Sequence, residues 1–139
     1  MPTRKIILRV NAFFLLAVGL TQAVFELLSH FLGVGPLAGK FTASPYTIGF
    51  FEAHGLAALI GLMMFNASLG KPKQSWHLYA MSVHLLLGGA NLLFWDSFVR
   101  LDFVGPGIVA TVFHATFILA QSGCYTQAKT ETVPSETYA

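Results

Sequence analysis

The sequence predicts an all-α integral membrane protein: a four-transmembrane-helix bundle with its N- and C-termini cytoplasmic. Three observations lead there. The chain of 139 residues is 55% hydrophobic and only 10% charged, whereas a soluble domain carries about 25% charged residues. Its charges are placed so that long apolar stretches remain. Glu26 is the only charge between Arg9 and Lys40, Glu52 is the only one between Lys40 and Lys71, and none falls within Gln74–Trp95 or Phe103–Ala128. No stretch alternates polar and apolar residues as a barrel strand does, so helices are left to satisfy the backbone inside hydrocarbon.

Each of the four stretches holds the ~20 apolar residues that a helix needs to cross a bilayer. The expected spans are approximately Ile6–Leu32, Tyr46–Leu69, Ser75–Trp95 and Val104–Cys124. Between them lie a longer outer loop (Gly33–Pro45), a tight inner turn (Gly70-Lys71-Pro72-Lys73) and a short outer link (Asp96–Phe103). Residues 1–125 would form one membrane bundle, and the polar composition of 126–139 reads as a disordered tail.

Basic residues orient the bundle. Arg4, Lys5, Arg9, Lys71, Lys73 and Lys129 fall on one side, and only Lys40 and Arg100 on the other. The side rich in Lys and Arg is the cytoplasmic one. A rival reading treats the start as a cleavable signal peptide, with basic residues, the apolar run Phe13–Leu20 and the small-residue site Thr21-Gln22-Ala23. The apolar sequence continues through Val24–Leu32, which favours a span. Asn66-Ala67-Ser68 matches a glycosylation acceptor but lies at the expected cytoplasmic end of the second span, which excludes that use.

Composition also excludes functions. The net charge of +2 comes from scattered residues and forms no basic face for nucleic acid. Cys124 is alone, so no disulfide framework exists. No Gly-rich phosphate loop and no Cys/His ligand box is present.

Function must therefore be sought in polar residues that are costly to place in lipid. Gln22, Glu26 and His30 form one stripe on the first span. His77, His84 and Asn91 share a face of the third, with Gly88, and Gly107, Thr111, His114 and Gln121 share a face of the fourth. On the second span Glu52 and His54 point about 200° apart, at roughly 100° per residue, so either that span has partners on both sides or one of the two reaches the outer loop. Counted at ~1.5 Å per residue, His84 and His114 fall at one depth near mid-membrane, and Glu26, Glu52, His54 and Asn91 lie in the outer half. Gly19, Gly55, Gly61, Gly88 and Gly89 read as points of close helix approach.

Three functions fit this pattern. The leading expectation is an intramembrane polar pocket that handles a lipophilic small molecule by cofactor-free acid/base chemistry, of isomerisation or cyclisation type. Glu52 and Glu26 would be the acid/base pair, His54 or His84 their partner and Asn91 the orienting group. The second is a bis-histidine haem b protein with His84 and His114 as axial ligands, or a metal site at Glu26, His30, Glu52 and His54. The third is a non-catalytic accessory subunit, in which the same residues hold helices together. The expected partners are the lipid bilayer and the lipophilic molecule, with a homo-oligomer or a membrane complex compatible and nucleic acid excluded.

Overall fold

The computed structural model describes residues 2–130, and they are helical with no strand among them. Helix α1 (Pro2–Leu27) runs into a π-helical turn at Leu28–Leu32, which Gly33 closes in the left-handed conformation (φ 63°). Then come α2 (Ala38–Phe41), α3 (Thr47–Ala67), α4 (Gln74–Leu93), α5 (Trp95–Arg100) and α6 (Val104–Thr130). Residues 9–66 form one compact unit, and residues 2–8 with 67–130 form another.

Three helical segments are long and apolar enough to cross a membrane: Thr3–Leu32, Thr47–Ala67 and Val104–Thr130. Their surfaces agree with that reading. Phe13, Phe31, Ile48, Leu56 and Leu119 are all more than half exposed, and water is a poor solvent for such a surface. Helix α4 is long enough at 20 residues but is not one of the three. Gln74, His77, His84 and Asn91 dilute its apolar content.

In the first unit α1 and α3 run antiparallel, because successive contacts pair rising numbers on α1 with falling numbers on α3. Their backbones touch at two points. A Cβ on Gly19 would lie 2.6 Å from the His54 carbonyl oxygen, and one on Gly61 would lie 2.7 Å from the Leu16 nitrogen. Neither position has room for a side chain, so glycine there sets the helix separation. Gly55 and Gly89 differ from expectation, since a Cβ on either would meet nothing within 4 Å. They lie off the close-approach faces.

The second unit is built on the antiparallel pair α4 and α6, which pack extensively against each other. The first turn of α1 is anchored to the turn before α4. Arg4 Nη2 donates to the Pro72 carbonyl at 2.8 Å and Lys5 Nζ to the Leu69 carbonyl at 2.8 Å.

Several boundaries differ from the sequence reading. Helix α1 begins at Pro2, before the expected Ile6, because proline is tolerated in a first turn and Arg4 and Lys5 find carbonyl partners. The connections between α1 and α3 and between α4 and α6 contain the short helices α2 and α5. Helix α6 continues through Thr126–Thr130, where a tail was expected. There Thr126 Oγ1 donates to the Gly123 carbonyl, Thr130 Oγ1 donates to the Gln127 carbonyl, and Ala128 is buried. The rest of the expected tail, 131–139, lies outside the described residues.

Candidate functional site

Close contact of α1 with α3 brings one carboxyl and one imidazole together. His54 Nδ1 lies 2.6 Å from Glu26 Oε1. Glu26 is 1% exposed, while the His54 side chain is 30% exposed. The pair is thus an enclosed carboxyl group holding an accessible ring. Phe50 stacks beside that ring, with centroids 6.4 Å apart and an interplanar angle of 28°.

The π-helical turn follows directly. It widens the helix by one residue, and such turns recur at functional sites. Here it presents His30 to α3, where His30 Nδ1 donates to Thr47 Oγ1 at 3.3 Å. The Thr47 hydroxyl in turn donates a hydrogen bond to the Phe41 carbonyl, also at 3.3 Å. Thr42 Oγ1 reaches back to the Ser29 carbonyl at 3.3 Å. These bonds tie the connection between α1 and α3 down beside the Glu26–His54 pair.

Two polar atoms here are buried and lack a protein partner among the described residues, Glu26 Oε2 and Ser29 Oγ. They lie on residues three apart, which are neighbours on one helix face. Ser29 did not figure among the expected site residues. Its position one turn after Glu26 was the available signal, but serine in an apolar run is commonplace.

Glu52 does not join this site. It is exposed on α3, on the side away from His54. The divergence of Glu52 and His54 is therefore resolved, with His54 the inward member.

In the other unit the polar residues of α4 and α6 meet as rungs along one seam. Gln74 Nε2 donates to the Tyr125 carbonyl (3.4 Å), His77 Nδ1 to Gln121 Oε1 (2.7 Å), and Asn91 Nδ2 to Thr111 Oγ1 (3.3 Å). Between them His84 Nδ1 and His114 Nδ1 are 2.9 Å apart. His77, His84 and Gln121 are 0% exposed. Asn91 thus serves the α4–α6 seam, and its amide is engaged by Thr111. Gly88 makes room for the histidine pair, since a Cβ there would lie 2.9 Å from His114 Cβ.

The histidine pair does not fit haem as it stands. Axial imidazoles occupy opposite faces of the porphyrin, whereas these rings bond directly to each other, with centroids 5.2 Å apart. His84 also stacks on Phe117 at 4.9 Å. For a metal, the described residues contain no group of three or more His, Cys, Asp or Glu side chains placed to hold an ion.

A surface depression of about 220 Å³ runs along Ala17, Val18, Thr21 and Gln22 of α1. None of its lining residues titrates. The chain matches no family model, no curated protein and no solved structure.

Proposed function

We propose that the chain is a four-span integral membrane protein with both ends cytoplasmic, and that His54, oriented by Glu26, is a general base acting on a lipophilic small molecule. The fourth span is α4. Gln74, His77, His84 and Asn91 bond to α6, while Leu85, Leu86, Leu92 and Leu93 are exposed at 66%, 73%, 65% and 82% and suit lipid. The orientation is supported by the anchoring of Arg4 and Lys5 beside Lys71 and Lys73. Gln74 brings the end of α6 that carries Lys129 to the same side.

One observation carries the catalytic reading, the 2.6 Å contact between a buried Glu26 and a part-exposed His54. A carboxylate that accepts Nδ1–H selects the tautomer with a lone pair on Nε2. That nitrogen can take a proton from an acidic C–H of a substrate arriving from the lipid. The Glu26 charge stabilises the imidazolium that forms, and Nε2 then returns the proton to another carbon of the substrate. The net change is an isomerisation, with no redox step and no external reactant.

Proton exchange provides the test. Purified protein is incubated in D2O with lipid extracts of its host membrane, and lipophilic species are screened by mass spectrometry for deuterium. Wild type is expected to label a discrete species, Asp102→Asn to do the same, and His54→Ala to lose the labelling. Labelling that persists undiminished in His54→Ala, or none in wild type, refutes the reading.

A non-catalytic subunit is the second reading, and the α4–α6 seam favours it. The polar pairs there are bonded between helices as structural glue would be.

A further inference from the structure

We propose that Glu26 Oε2 and Ser29 Oγ form an intramembrane binding site for a monovalent metal cation, sodium being the probe of choice. Both atoms are buried with no protein partner among the described residues, on residues that are 1% and 0% exposed. A buried polar atom without a partner costs free energy, and a bound ion or water is the usual resolution. Here two such atoms lie one helical turn apart on the same face.

The chemistry selects a hard, singly charged cation. Both ligands are oxygen, which suits alkali ions and not soft metals. A single carboxylate supplies one negative charge, which balances a monovalent ion and leaves a divalent one uncompensated in a medium of low dielectric. An anion is excluded, because the carboxylate would repel it. The π-helical turn at Leu28–Leu32 begins two residues after Glu26 and contains Ser29. It interrupts the regular backbone ladder at the level where further oxygen ligands are needed.

The site divides the two oxygens of one carboxylate. Oε1 holds His54 and Oε2 holds the ion, so an occupied site keeps Glu26 anionic while it orients the imidazole. Binding does not depend on His54 being a catalyst and is read without any turnover assay. Failure of one reading therefore leaves the other standing.

Thermal unfolding of the full-length protein in detergent tests this, with sodium chloride replacing choline chloride at constant ionic strength. A ligand that binds only the folded state raises the midpoint in a saturable way. We expect such a rise for wild type, its loss in Glu26→Gln, and a requirement for about tenfold more sodium in Ser29→Ala, the loss of one neutral ligand costing roughly 1.4 kcal/mol. Ser29→Ala is a small change that preserves the helix, so the comparison stands even if Glu26→Gln folds poorly. A midpoint that responds to pH but not to sodium, lithium or potassium means that a proton alone occupies the site, and overturns the proposal. A sodium effect of equal size in Ser29→Ala and wild type overturns it too.

Discussion

His84 and His114 meet Nδ1 to Nδ1 at 2.9 Å, a distance at which one ring donates through Nδ1 and the other accepts. Each ring is the other's partner, and neither substitution is innocent on its own. His84→Leu leaves a polar nitrogen of His114 facing an apolar side chain and is expected to cost about 1–3 kcal/mol. The double change to leucine should recover much of that loss. Reversible unfolding in mixed micelles, analysed as a double-mutant cycle, checks this. Additive losses would show that the contact is incidental.

Gly61 separates packing from propensity. Gly61→Ala forces a Cβ against the Leu16 nitrogen and the Ala12 carbonyl oxygen at 2.7 and 2.8 Å, both backbone atoms that cannot swing away. It should destabilise by about 1–3 kcal/mol, the range for overpacking. Gly55→Ala, six residues earlier on the same helix, meets nothing within 4 Å. It should be neutral or stabilising by up to ~1 kcal/mol, since alanine is the better helix former. Unfolding midpoints of the two variants decide between these outcomes.

The two carboxyl groups that looked alike in the sequence should behave differently. Proton exchange per folded protein is expected to fall about a hundredfold in Glu26→Gln, because the His54 base loses the carboxylate that orients it and supports its charged form. Glu26→Asp should restore part of it, and Glu52→Gln should leave it unchanged. Deuterium incorporation measures all three. Equal losses in Glu26→Gln and Glu52→Gln would remove the special role of the buried pair.

Orientation is accessible to labelling. In a Cys124→Ala background, Lys71→Cys should react with an impermeant maleimide only after the cytoplasmic side is opened, and Arg100→Cys should react from outside. The reverse pattern would invert the bundle. Labelling of both positions from one side would remove α4 as a span.

Much of the fold was legible in the distribution of charge. In two of the three helices long and apolar enough to cross a membrane, α1 and α3, the apolar run lies between the same sparse lysines and arginines that suggested it, because a lone charge in hydrocarbon is too costly to scatter freely. The seam between α4 and α6 was half legible. The seven-residue spacing of His77, His84 and Asn91 put them on one face, but which residue of α6 met each one depended on helix register. The pairing of Glu26 with His54 was not legible. Glu52 has the same charge as Glu26 and is two residues from His54. Only the close approach of α1 at Gly19, packed against the His54 carbonyl, decides which of Glu52 and His54 turns inward. The π-helical turn had no sequence signal, since one extra residue in a turn leaves the apolar pattern almost unchanged, and Ser29 had only its place one turn after Glu26.

The polar seam of α4 has a consequence for biogenesis. Histidine and asparagine weigh against insertion of an isolated segment, and α4 emerges from the ribosome before α6, which holds the partners of His77, His84 and Asn91. For α4 to span, it must wait at the translocon or at the interface until α6 arrives, and the two then enter the bilayer as a hairpin. A chain cut short before α6 should therefore strand α4 outside the hydrocarbon, exposed to proteolysis, while α1 and α3 insert without it.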